Sequence, residues 1–234
     1  MRKTKAVFFD AGGTLFCPYR SVGDIYADTA KRHGLDVTGE EVDRCFREIW
    51  LRKSSLSALE STLDERTWWY ELVHEVFLSL GVFDDFDAFF NELHELFARP
   101  EIWHLYPEVP GVLETLRADG YILGIVSNWD SRLVALCEKL GIQAHFDFIL
   151  ASAIVGSSKP HRGIFDEALM RAQVKPEEAL HIGDSMKDDY EASTALGIQS
   201  LLIDRDAHHQ DHTFTLASLE DLIPYLNMGS ELYI

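Results

Sequence analysis

Cysteine is scarce in this 234-residue chain, with three in all. Cys17, Cys45 and Cys137 are far apart, odd in number and form no Cys-x-x-Cys pair. That excludes a disulfide framework and a thiolate zinc site, and points to a reducing, intracellular compartment. Long apolar runs are missing too, so no bilayer-spanning helix is expected. The opening Met-Arg-Lys-Thr-Lys carries the charge of a secretory leader, but the apolar run behind it ends at Asp10, too soon for one. A cytoplasmic location is expected. Basic residues are few: 21 Lys and Arg against 39 Asp and Glu, a formal net charge of −18. Without a basic surplus, nucleic acid and anionic membranes are excluded as partners. The acidity reads as a well-solvated surface. A phosphorylated substrate would have to be drawn in by local lysines, a bound cation and backbone amides.

What is present begins with Ala6-Val7-Phe8-Phe9, a short continuous apolar run typical of a strand buried on both faces of a parallel sheet. It ends in Asp10, then Ala11-Gly12-Gly13-Thr14. Ligands gather at the carboxyl ends of such strands, which puts Asp10 at the mouth of a site. Gly12 and Gly13 can take positive φ, and the N–H groups of such a turn can cradle an anion. An ordinary turn is the competing reading of this stretch alone. No Gly-Lys-Ser/Thr follows, so it is not a Walker phosphate loop, nor is it a G-x-G-x-x-G dinucleotide turn.

From Phe16 to about residue 121 strand character disappears. Helices are expected over Ser21–His33, after the capping box Thr38-Gly39-Glu40-Glu41, after a second box Thr62-Leu63-Asp64-Glu65, and over Phe86–Ala98. Ser54–Ser61 reads as a polar connection, and the aromatic residues of this block as core. Strands then alternate with helices: Tyr121–Val126, Phe146–Leu150, Ala179–Ile182 and Ile198–Ile203 as strands, with helices over Val112–Ala118, Asp130–Leu140, His161–Ala172, Tyr190–Leu196 and about Leu219–Leu226. Alternation of this kind implies an α/β fold with a doubly wound parallel sheet. The helical block is an insertion between the first and second strands, placed as a lid. The expected organisation is a core of residues 1–16 and 101–234 with a helical cap over 17–100.

Asp10, Ser127-Asn128 and Gly183-Asp184 each follow an apolar strand and should meet on one rim, with Lys159 in a loop nearby. Carboxylates, a hydroxyl and a lysine around one mouth suit a hard cation and a phosphoryl group. The polar stretch holding His208, His209 and His212 reads as a loop rather than a metal site. His74 and His94 read as helix-surface or core residues, with surrogate acids as the alternative. Trp129 is a candidate pocket wall, or it packs beneath the cap.

Taken together, Phe8-Phe9-Asp10-Ala11-Gly12-Gly13-Thr14-Leu15, Ser127-Asn128-Trp129-Asp130-Ser131-Arg132-Leu133, Ser158-Lys159-Pro160 and His181-Ile182-Gly183-Asp184-Ser185-Met186-Lys187-Asp188-Asp189-Tyr190 resemble the four motifs of the haloacid dehalogenase superfamily. The resemblance is to its branch with a helical cap between the first and second motifs, and it covers nearly the whole chain. It implies a Rossmann-like core and a hydrolase, with phosphatase the leading activity and a small phosphorylated metabolite as substrate. It makes Asp10 the nucleophile that forms an aspartyl-phosphate. Ser127 and Lys159 would hold and neutralise the phosphoryl group, with Gly13, Thr14 and Asn128 around it. Magnesium is implied as cofactor, held by Asp10, the Gly12 carbonyl, Asp184 and Asp189, with Asp188 the alternative to Asp189. The oligomeric state stays open, with a monomer favoured.

One position departs from that pattern. Phosphatases of the superfamily carry a second aspartate, a general acid and base, where this chain has Gly12. Losing such a group costs on the order of 10²–10⁴ in rate. A weak or narrow phosphatase, a dehalogenase-like hydrolase, a phosphonatase-like hydrolase using Lys31 or Lys53, and a phosphate-ligand-binding protein therefore remain alternatives. The metal-free dehalogenases would have no use for Asp184 and Asp189. Gly12→Asp is expected to raise turnover of alkyl phosphates, or to fail if Gly12 holds a positive φ.

Overall fold

The computed structural model describes residues 4–56, 65–205 and 214–228. The second capping box before Glu65 and the three histidines at 208, 209 and 212 lie outside the described residues. In chain order the elements are β1 (Ala6–Phe9), β2 (Phe16–Pro18), α1 (Val22–Arg32), α2 (Gly39–Leu56), α3 (Glu65–Leu78), α4 (Phe86–Leu96), β3 (Trp103–Leu105), α5 (Val109–Ala118) and β4 (Ile122–Ser127). They continue with α6 (Leu133–Lys139), β5 (Phe148–Ala151), α7 (Ser152–Val155), α8 (Arg162–Ala172), β6 (Ala179–Gly183), α9 (Ala192–Ala195), β7 (Gln199–Ile203), β8 (Thr215–Leu216) and α10 (Leu222–Met228). The chain divides into two compact units, one of Met1–Cys17 with Leu105–Ile234, the other Pro18–His104.

The first unit is built on a six-stranded sheet of order β5-β4-β1-β6-β7-β8, with every pairing parallel. A strand at the centre of such a sheet is covered on both faces, which is why Ala6 to Phe9 reads as an unbroken apolar run. All four side chains are fully buried. On one face Phe8 packs with Val126, Phe148, Ile164, Phe165 and Ala168, so α8 lies against it. Phe9 points the opposite way, to the edge of Phe146. Register fixes the rim: Phe9 is level with Ile125 of β4 and Ile182 of β6, so Asp10, Ser127 and Gly183-Asp184 leave the sheet together. This is the α/β doubly wound arrangement that the alternation of elements predicts.

The second unit is helical. Thr38 and Glu41 form the expected capping box: Thr38 N–H donates to the Glu41 carboxylate at 2.9 Å, and Glu41 N–H to the Thr38 hydroxyl at 3.3 Å. Its core gathers Ile25, Tyr26, Val42, Val76, Phe77, Phe89, Phe90 and Leu93. Burying an aromatic side chain such as Phe89 contributes roughly 1.5–3 kcal/mol, and Phe77, Phe83, Phe86 and Phe89 form a connected set of ring contacts.

Three local expectations are corrected. Between Phe16 and residue 121 strand character does not vanish, because β2 pairs with β3 in a small separate sheet. Each is only three residues long, too short to show a period. α2 continues through Leu56, two residues beyond the start of the expected polar connection, since serine near a helix end costs little. The helix expected from Tyr190 is shorter, because Tyr190 and Glu191 belong to a π-helical turn over Met186–Glu191 that runs into α9.

Candidate active site

The first turn is held by its own backbone and by an arginine. Gly13 has φ 75°, and a Cβ there would stand 2.4 Å from Asp184 Oδ2, so only glycine lets the Asp184 carboxylate rest against the turn. Of the two glycines only Gly13 is in the left-handed region; Gly12 is not. What presses on it is Trp129: a Cβ on Gly12 would be 3.0 Å from Cζ3 of that indole. The Gly13 N–H donates to the Phe16 carbonyl at 2.9 Å, so that donor is used within the turn. Thr14 is buried with its hydroxyl unpartnered among the described residues, and its carbonyl accepts from Arg205 Nη2 at 2.8 Å. Arg205 also pairs with Glu108 at 2.7 Å and lies over the Tyr106 ring.

The other loops converge on Asp10. Ser127, fully buried at the end of β4, hydrogen-bonds the Asp10 carboxylate. Asn128 grips the backbone of Lys159 at both ends, donating from Nδ2 to its carbonyl at 2.8 Å and accepting its N–H at 2.7 Å. Its side chain thereby positions the lysine. Lys159, 2% exposed, places Nζ 2.5 Å from Asp10 Oδ1 and 2.5 Å from Asp189 Oδ1. Asp189 is buried as well; its Oδ2 accepts the Ser185 N–H at 3.0 Å, and its Oδ1 lies 2.8 Å from His181 Nε2. The π-helical turn sends the two adjacent acids different ways. It swings Asp189 back over the strand end, while Asp188 gives its N–H to the Ser185 hydroxyl and leaves Oδ1 unpartnered among the described residues.

The electrostatics follow from burial and charge. Burial and Asp189 push the Asp10 carboxyl up, against the pull of Lys159 and Ser127. Burial would raise Asp189 as well, but Lys159 and His181 overturn it and hold that carboxyl well below the usual carboxylate range. Burial alone would lower Lys159; Asp10 and Asp189 keep it firmly protonated. Burial, then the charges of Asp10 and Asp189, push Asp184 up to about 8. Because the Asp184 side chain is open to solvent, the like charges are the firmer cause. Ligand atoms of Asp10, Asp184 and Asp189 all lie within 4.8 Å of one another. Counted as ionised, three carboxylates against one ammonium carry two unbalanced negative charges, and the upward push on Asp10 and Asp184 is what a divalent hard cation on these oxygens would reverse.

Of the residues here, Arg205 is not singled out by the sequence, and His181 and Gly183 stand within the fourth motif without a role of their own. Gly183 is required because a Cβ there would lie 2.1 Å from Asp189 Cγ. Arg205, past the last clear strand, carried no signal. His74 and His94 belong to the helical unit, His74 against the rings of Tyr70 and Phe86 and His94 against Phe90. Lys31 lies 3.7 Å from Asp36 within that unit, and the side chain of Lys53 is outside the described residues.

Carboxylates and a buried lysine gathered at the carboxyl rim of a parallel sheet make a polar site where α/β folds bind their ligands. The chain belongs to the haloacid dehalogenase-like hydrolase family, whose profile matches residues 4–197. It is 36% identical over 234 residues to haloacid dehalogenase-like hydrolase domain-containing protein 3 of Mus musculus, covering 94% of this chain and 92% of that one. It is 30% identical over 216 residues to a glyceraldehyde 3-phosphate phosphatase of Methanothermobacter thermautotrophicus, covering 86% of each. Among solved structures, a HAD phosphatase from Thermococcus onnurineus superposes with a TM-score of 0.66 at 25% identity, covering 94% of this chain and 97% of that one. Among the described residues no helix is long and apolar enough to cross a membrane.

Proposed function

We propose that the protein is a magnesium-dependent phosphatase acting on a small phosphorylated metabolite. The observation that carries this reading is the buried Lys159 ammonium shared between Asp10 and Asp189, with Asp184 close by and a net deficit of two positive charges. Asp10 attacks phosphorus, the leaving oxygen departs with its electron pair, and water then cleaves the aspartyl-phosphate, returning Asp10 and releasing phosphate. Lys159 bonds Oδ1 of Asp10 and would hold the carboxylate in place for attack. Ser127 and Lys159 supply donors to the phosphoryl oxygens, with Asn128 holding Lys159 and the turn at Gly13 and Thr14 shaping the near wall. Asp10, the Gly12 carbonyl and Asp184 would hold magnesium, supported by Asp189, whose oxygens are engaged by Lys159, His181 and the Ser185 N–H; when bound, the metal would neutralise phosphoryl charge.

Proton donation to the leaving oxygen has no evident source at Gly12. Activity should therefore be slow and best on acyl or aryl phosphates, whose leaving groups are weakly basic. The phosphatase names of two relatives support the class of reaction and leave the substrate open. Gly12 also favours a second reading, a protein that binds a phosphate ligand without turning it over.

A panel of phosphorylated metabolites, with magnesium and with chelator, tests the proposal. Phosphate release that needs magnesium and disappears in Asp10→Asn is the expected result. Binding without turnover, weakened in Lys159→Met, would establish the second reading. Halide release from a 2-haloacid without magnesium would overturn both.

A further inference from the structure

His181 sits in the middle of β6, wholly buried, in register with Phe8 of β1 and Ser200 of β7. A polar ring in such a place is costly to desolvate, and packing alone gives no reason for it. Phe165 of α8 meets the ring edge-on at 5.2 Å, a contact an apolar side chain would make equally well. Nδ1 has no partner among the described residues. Nε2 has one, Asp189 Oδ1 at 2.8 Å, so the ring donates from Nε2.

That one bond falls on the oxygen that also accepts Lys159 Nζ. Asp189 is thus fastened on three sides: Ser185 N–H on Oδ2, His181 on Oδ1, and the Gly183 backbone beneath, where no side chain fits. Its Oδ1 is left to face the lysine. Lys159 in turn reaches Asp10. The order His181, Asp189, Lys159, Asp10 is a chain of charge-assisted hydrogen bonds running from the core to the strand rim.

We propose that His181 is a positioning residue for Lys159, acting through Asp189. It fixes the Asp189 carboxylate so that the ammonium stands beside Asp10 rather than turning toward solvent. His181 touches no ligand. The inference deepens the phosphatase reading by naming what sets the phosphate-facing lysine, and its kinetic arm rests on that reading.

The test compares His181→Leu, which removes the donor, with His181→Gln, whose amide can still donate to Asp189. With acetyl phosphate and magnesium, kcat/KM is expected to fall tenfold or more in His181→Leu and to return within about threefold of native in His181→Gln. Melting temperatures, measured alongside, separate this from loss of fold. Equal activity in the two variants, or native activity in His181→Leu, overturns the proposal. If the native protein releases no phosphate, the function reading has failed on its own. Unfolding in urea then decides the positioning role through the cycle His181→Leu, Lys159→Met and the double variant. Non-additivity of fivefold or more in the unfolding constant supports it, and additive effects overturn it.

Discussion

Placing an aspartate at position 12 is the most informative perturbation this structure suggests. The new Cβ would begin 3.0 Å from Cζ3 and 3.7 Å from Cη2 of Trp129, where carbon atoms normally rest about 3.5–4.0 Å apart. The half-buried indole is held on one side by Phe16, which it meets edge-on with ring centroids 5.6 Å apart, and the Trp129 backbone carbonyl accepts from Ser152 Oγ and the Ala153 N–H, both at 3.2 Å. Asn128, one residue before, is clamped to Lys159. Overpacking of this kind costs about 1–3 kcal/mol, which for a chain of this size lowers the melting temperature by roughly 2–12 °C. Gly12→Asp alone should therefore melt earlier and gain no turnover of alkyl phosphates. Gly12→Asp with Trp129→Ala frees the space, and alkyl phosphate turnover should rise over native, with about 10²-fold as the scale of a restored proton donor. Calorimetric melting and phosphate release from an alkyl ester read the two effects separately. A single Gly12→Asp variant that melts with the native protein and gains activity would refute the reasoning.

Lys159→Met leaves Asp10 and Asp189 buried without their cation, at a cost of about 3–5 kcal/mol. The bare carboxyls would then titrate above their unfolded values, so the loss of melting temperature should be smaller at pH 5 than at pH 8. Asp184 is raised to about 8, above its unfolded value, so without metal it subtracts stability as pH rises above the ordinary carboxylate range. Asp184→Asn should melt higher than the native protein in chelator at pH 8, and should lose the rise in melting temperature that millimolar magnesium gives the native protein. Burial pushes the Cys137 thiol up to about 12. At pH 8 it should resist alkylation in the folded protein and react only in urea, a difference that peptide mass mapping reads directly.

Much of this architecture is visible in the chain because central parallel strands leave an unmistakable mark. Ala6 to Phe9 and Ala179 to Ile182 are short apolar runs ending in an acid or in Gly-Asp, and those endings mark the rim. Side chains brought together by tertiary approach are much harder to read. Nothing near Trp129 in the sequence says that its ring edge reaches Gly12, and the positive φ belongs to Gly13 instead. The choice between Asp188 and Asp189 depends on a π-helical turn, whose one extra residue has no compositional signature. His181 could have been found from the sequence by asking why a strand with no solvent-facing side keeps an imidazole. Three-residue strands such as β2 and β3 are too brief for any periodicity to register.

The place of β1 in the sheet has a consequence for biosynthesis. This strand precedes both of its neighbours in the chain, and they begin only at Ile122 and at Ala179. Until residue 183 has been made, Ala6-Val7-Phe8-Phe9 has no complete slot to enter, and a bare apolar strand is an invitation to pair wrongly. A nascent chain of this protein carries that hazard until residue 183 has been made, while the helical unit of residues 18–104, whose contacts are local, is free to fold as it emerges. Asp10 meets the acids at 184 and 189 only once this strand lies beside β6, so the mutual repulsion of the site cannot be felt before more than 160 residues of intervening chain have been made.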